Sequence, residues 1–167
     1  MPFRRPPSHR RSLFLPFLLC LAGSTAAASS PALATPTATI PGVDLSQYRG
    51  KVVYLDFWAS WCGPCQLSFP FMRDLETRFG AQNLVVIAVN LDHDHARAQA
   101  FLDRYHPNFT IAYDPKGASA QAFHVADMPT SILIGRDGKT RYVQRGFSPA
   151  ESQTYFTHVS ELINERR

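Results

Sequence analysis

The amino-acid sequence predicts an α/β domain: a central mixed β-sheet flanked by helices. Two observations carry this. Two apolar, β-branched-rich runs, 51–57 (KVVYLDF) and 84–90 (LVVIAVN), are separated by a segment of helical periodicity, which is the pattern of two parallel strands joined by a crossover helix. Further on, strand runs at 131–135 and 140–144 are joined by Arg136-Asp137-Gly138-Lys139, and Asp-Gly between two such runs signals an antiparallel hairpin. Parallel and antiparallel strands together make the sheet mixed.

The elements follow in order. Gly50 bounds the first strand, whose apolar residues do not alternate with polar ones, which marks burial. Residues 62–79 form a helix: Leu67, Phe71, Leu75 and Phe79 recur four apart, Pro70 inside it predicts a kink, and Gly80 predicts its end. After the second strand, 96–105 reads as a helix stopped by His106-Pro107, 109–113 as a short strand and 116–123 as a short helix. The last helix spans 148–164, with Ser148 as its cap, Pro149 at its first position and Glu151 reaching back.

The first 34 residues differ from the rest. Arg4, Arg5, Arg10 and Arg11 open the chain without an acid, an apolar stretch covers 13–22, and small residues follow. This is the order of a secretory signal peptide, with cleavage after Ala28 or Ala34. The apolar stretch is about half of the ~20 residues that a membrane-spanning helix needs, so an uncleaved anchor is the weaker reading. Leu19 before Cys20 is bulky for a lipid-attachment site, and the Arg10-Arg11 run bears only a faint likeness to a twin-arginine signal. Residues 35–43, rich in Thr, Pro and Ala, read as a linker or irregular lead-in, and 44–167 as the domain.

Removing the leader changes the charge and the cysteine count. Its four arginines account for the excess of 17 Lys and Arg over 13 Asp and Glu, so the mature chain is near neutral and no nucleic-acid partner is implied. Of three cysteines only Cys62 and Cys65 remain, which excludes a framework of several bridges.

Cys62-Gly63-Pro64-Cys65 follows a buried strand and opens a helix. Two cysteines at this spacing can close a small disulfide ring. Cys62, at the helix N-terminus, lies where the partial positive charge favours its thiolate, the nucleophile of disulfide exchange. Cys65, a turn further in, is a shielded, resolving thiol, and Pro64 costs the first turn no hydrogen bond. A zinc site would need more ligands than this pair provides. A purely structural bridge over so short a loop would add little stability. Asp56 interrupts the apolar strand on the face of Val52 and Tyr54, so it faces solvent only if Tyr54 does. A carboxyl buried there would have a raised pKa, suited to taking and returning a proton. The run Asp92-His93-Asp94-His95 lies near the same end of the sheet. His93 and His95 are conceivable metal ligands, but a solvated loop is the preferred reading. No metal and no cofactor are expected.

The run from Asp56 to Cys65 (DFWASWCGPC) resembles the active-site stretch of thioredoxins. Pro70 is similar to that family's helix-kinking proline, and Met128-Pro129-Thr130 before a strand resembles its cis-proline loop. The export signal, the inserted αβ element and the LIGRDGK hairpin together resemble the TlpA/ResA-like branch, over nearly all of 43–164. The resemblance implies a thioredoxin fold and a thiol-disulfide oxidoreductase outside the cytoplasm, with Asp56 assisting deprotonation of Cys65. It further implies a cis bond before Pro129 that sets the Met128 backbone beside Cys62 for substrate, and Trp61 flanking the nucleophile at the surface. Trp58 reads as packing. Implied partners are disulfide-containing protein substrates and a membrane thiol donor, the chain being a monomer. ResA-type relatives carry a functional glutamate around His93; this chain departs from that pattern, so the role is not transferred. The rival readings are a thiol oxidase or isomerase, and a copper metallochaperone using the same cysteines.

Overall fold

The structure is a computed structural model that describes residues 39–165. The leader and both of its cleavage sites lie outside the described residues. Nine regular elements follow the lead-in: β1 (Val52–Trp58), α1 (Gly63–Phe79), β2 (Leu84–Asn90), α2 (His95–Tyr105), β3 (Thr110–Tyr113), α3 (Ala118–Ala122), β4 (Thr130–Ile134), β5 (Thr140–Arg145) and α4 (Ser152–Asn164). The five strands form one sheet in the order β3-β2-β1-β4-β5. β1 runs parallel to β2 and β2 to β3, whereas β4 is antiparallel to both β1 and β5. This is a thioredoxin fold, with α2 and β3 as the αβ element after the second strand.

β1 is central, and all seven of its residues are buried. Its alternate side chains feed two cores. Val52, Tyr54 and Trp58 join Phe69, Met72 and Leu75 of α1 with the apolar faces of α2 and α4. Val53, Leu55 and Phe57 face the other way, towards Ala120 of α3, Phe123 and the lead-in residue Ile40. A strand covered on both faces has no reason to alternate in polarity, which is why 51–57 is mainly apolar on both faces, with Asp56 the exception inside β1.

Three local features differ from the sequence expectations. α1 does not bury a row of residues four apart; its buried residues are Cys65, Ser68, Phe69, Met72 and Leu75, and Leu67 is half exposed. A step of four overshoots a full helical turn by about 40°, so such a row drifts off the buried face. Gly80 does end α1 as its C-cap, but it stays right-handed and continues into a short 3₁₀ turn; the left-handed residue is Asn83, φ 70°. The last helix begins with a 3₁₀ turn at Pro149–Glu151, and the Ser148 hydroxyl bonds the Glu151 carboxylate at 2.8 Å instead of capping a backbone amide.

The turn at Asp137-Gly138 takes the positive φ (75°) that favours glycine, and Arg136 ties this hairpin to the Gly50 carbonyl and to Ile163 at the end of α4.

Candidate active site

β1 ends at Trp58, and the next four residues turn the chain into α1. Pro64 occupies the first turn, where a missing N–H is no loss. Cys62 is the N-cap, its sulfur accepting from the Cys65 amide at 3.3 Å. Cys62 and Cys65 form a disulfide with their Cα atoms 5.3 Å apart. Cys65 is fully buried and Cys62 is 5% exposed, while Trp61 beside them is 67% exposed. Cys62 therefore sits at the positive end of the helix dipole, in a position that favours a thiolate once the pair is reduced.

Around these residues lies an open groove of about 430 Å³, lined by 61–64, by Leu91 after β2 and by 125–128 before β4. The Met128–Pro129 peptide is cis. Its surroundings are tied down: Thr130 Oγ1 donates to the Asp127 carbonyl at 2.6 Å, and the Gly146 amide to the Pro129 carbonyl at 2.7 Å.

Asp56 is fully buried and lies opposite Ser131 in the antiparallel β1–β4 pair. Ser131 Oγ donates to Asp56 Oδ1 at 2.6 Å and accepts from the Tyr54 hydroxyl at 2.8 Å. Asp56 Oδ2 is buried without a hydrogen-bond partner. Burial pushes the carboxyl from its ordinary 3.8 up to about 7, against the Ser131 hydrogen bond, which favours the charged form. Tyr54, equally buried, is raised well above the ordinary phenol value by burial and by the charge of Asp56. The strand thus holds a carboxyl that can exchange a proton near neutral pH.

The Asp92–His95 run separates into distinct parts. Asp92 is buried: Oδ2 accepts from the Ser60 amide at 2.8 Å and from Asn90 Nδ2 at 2.7 Å, and Oδ1 from the Ser60 hydroxyl at 2.9 Å. Asp94 caps α2 by accepting from the Ala96 amide. His93 and His95 are exposed, and His95 lies against the Tyr113 ring at 4.5 Å. Among the described residues, no three His, Cys, Asp or Glu side chains come together as a metal site. Sequence reasoning missed Asp92, which anchors the turn two residues ahead of Cys62. Trp58 is fully buried among Phe69 and Phe101, with ring centroids 4.7 and 4.8 Å away.

Residues 22–159 match the family described as Redoxin. The thiol-disulfide oxidoreductase ResA of Geobacillus kaustophilus (strain HTA426) is 33% identical over 102 residues, 61% of this chain and 59% of the relative. ResA of Bacillus subtilis (strain 168) is 34% identical over 104 residues, 62% of this chain and 58% of the relative. The chain thus spans about three-fifths of the length of the curated relatives it matches. Among solved structures, a Chlorobium tepidum protein assigned as thiol:disulfide interchange protein DsbE superposes with a TM-score of 0.71 at 43% identity, covering 73% of this chain and 86% of that one. The family match takes in the Cys62–Cys65 pair, the cis-proline loop and the whole sheet that positions them, and on that evidence the chain belongs to the redoxin family.

Proposed function

We propose that this chain is an exported, monomeric thiol-disulfide oxidoreductase that reduces disulfides of extracytoplasmic proteins through Cys62 and Cys65. The observation that carries the reading is the disulfide between an N-cap cysteine at the edge of a groove and a fully buried cysteine one turn further in. The names of the ResA and DsbE relatives support it.

In the reduced enzyme the Cys62 thiolate attacks a sulfur of the substrate disulfide. A mixed disulfide forms, and the other substrate sulfur departs as a thiolate and takes up a proton. Cys65 then gives its proton to Asp56 and attacks the Cys62 sulfur. The Cys62–Cys65 bond forms and the second substrate sulfur leaves reduced, so two electrons have passed from enzyme to substrate. Trp61, Gly63 and Pro64 shape one wall of the groove. Met128, set by Pro129, offers backbone to the substrate on the other. A thiol donor at the membrane restores the dithiol. Cytochrome c maturation and copper-centre assembly are the pathways that the TlpA/ResA-like resemblance suggests. Export rests on the composition of residues 1–34; no helix among the described residues is long and apolar enough to cross a membrane.

The test is a redox titration of the mature domain against glutathione buffers, with metal content measured on the same sample. A potential near the thioredoxin value of about −270 mV supports a reductant, whereas one near about −120 mV would make the protein an oxidase. Stoichiometric copper would point to a metallochaperone.

A further inference from the structure

The Tyr54–Ser131–Asp56 chain has a direction. An ionised carboxylate only accepts hydrogen bonds, so the single Ser131 proton must point at Asp56 Oδ1. Ser131 Oγ is then an acceptor for its other neighbour, and the Tyr54 hydroxyl must donate to it. All three side chains are buried, so water does not compete. The terminal torsion of an aspartate is broad and two-fold, and nothing intrinsic tells its two oxygens apart. Here Ser131 does: Oδ1 is bonded and Oδ2 is not.

We infer that Ser131, held in place by Tyr54, is a positioning residue for Asp56, fixing the carboxyl so that Oδ2 is the oxygen that takes and returns the Cys65 proton. This rests on the proton-acceptor role proposed for Asp56 and adds the device that orients it. The proton moves from the Cys65 sulfur to Oδ2 as the mixed disulfide is resolved and is given up again when the dithiol is restored. The Ser131 proton stays on Ser131 throughout.

Few other groups act on this carboxyl. On the same face of the sheet, β1 contributes Tyr54, the N-cap of α1 Cys62, and α1 itself Cys65 and, further along, Glu76, which accepts from the Val86 amide. Tyr155 of α4 influences Tyr54, α2 buries only Ala98, Phe101 and Leu102, and β2 places Ala88 opposite Asp56. The Ser131 hydrogen bond alone opposes the effect of burial on Asp56.

The experiment titrates the Asp56 carboxyl by carbon-13 NMR in the oxidised protein and follows the pH dependence of mixed-disulfide resolution in single turnovers. Wild type, Ser131→Ala, Ser131→Thr, Tyr54→Phe and Asp56→Asn are compared. Ser131→Ala should move the carboxyl midpoint upwards by about one pH unit, the scale of a lost hydrogen bond to a charged group. The acid limb of the rate profile should move with it. Tyr54→Phe should shift both by less, because it weakens the chain without cutting it, and Ser131→Thr should restore both towards wild type. A Ser131→Ala midpoint at the wild-type value, with only a lower melting temperature, would make Ser131 a packing residue and overturn the inference while leaving Asp56 its role. An acid limb that persists in Asp56→Asn would remove the role itself, and the inference with it.

Discussion

Ser60 and Asp92, 32 residues apart in sequence, are joined by two hydrogen bonds: the Ser60 amide to Oδ2 at 2.8 Å and its hydroxyl to Oδ1 at 2.9 Å. The turn that carries Cys62 is thereby fastened to the end of β2. Asp92→Ala leaves the part-buried Ser60 amide and the buried Asn90 side chain without their acceptor. The expected loss is about 1–3 kcal/mol, read as a fall of several degrees in melting temperature. Disulfide reduction should slow as well, since the loop bearing the nucleophile loosens. Unchanged melting and unchanged rate would show that the contact contributes nothing.

Asp56 predicts a stability trend of definite sign. Its folded-state pKa of about 7 lies above the ordinary 3.8, so the folded protein holds this proton more tightly than the unfolded chain does. The associated stabilisation is complete below about pH 4 and is lost as pH rises through about 7. It amounts to roughly 4 kcal/mol at ~1.4 kcal/mol per unit. Asp114 shifts stability the opposite way in wild type and variant alike: burial raises its carboxyl, but hydrogen bonds from Ser119 and Ala118 outweigh burial and hold it low. The difference between wild type and Asp56→Asn is therefore the quantity to read. Urea denaturation at pH 4 and pH 8 should find the variant more stable than wild type at pH 8, with the advantage shrinking towards pH 4. A variant less stable at pH 8 would mean that the carboxylate is a paired structural group.

Much of this site is legible before any coordinates. Asp56 announces itself because a carboxyl that interrupts an otherwise apolar strand has no charged neighbour in that strand to explain it. Cys62 and Cys65 declare their placement through the strand before them and the helix after them. Asp92 stays hidden for the opposite reason, lying in a polar run where one more acid carries no signal. What sets it apart is a partner turn brought beside it only by the parallel β1–β2 pairing. Ser131 is obscure in the same way, since its place opposite Asp56 exists only once β4 pairs antiparallel with β1. The buried face of α1 does not follow from apolar type: Leu67, Phe71 and Phe79 are apolar, but only Leu75 of that row is fully inside. Apolar type identifies a helix, and the rotation about its axis comes from what packs on it.

Phe69 illustrates that packing. It is fully buried and touches the rings of Trp58, Phe101, Tyr105 and Phe109, with centroids 4.7 to 5.9 Å away. Phe69→Ala should cost about 3–5 kcal/mol, the range for opening a cavity of that size. The check is a denaturant midpoint that falls at an unchanged slope. A loss under about 1 kcal/mol would mean that the aromatic cluster closes over the gap.

Residues 1–34 make a separate prediction: exported material should begin at Ser29 or Thr35. N-terminal sequencing of the protein recovered outside the cytoplasm checks it, and an intact Met1 there would refute cleavage.

The two cysteines are isolated best by insulin reduction with dithiothreitol as electron source, the rate being compared for wild type, Cys62→Ser and Cys65→Ser. Wild type should accelerate the reaction well above the uncatalysed background. Cys62→Ser should fall to that background, since the nucleophile is gone, and Cys65→Ser should accumulate as a covalent mixed disulfide with insulin chains. A Cys62→Ser protein that reduces insulin at the wild-type rate would contradict the proposed chemistry outright.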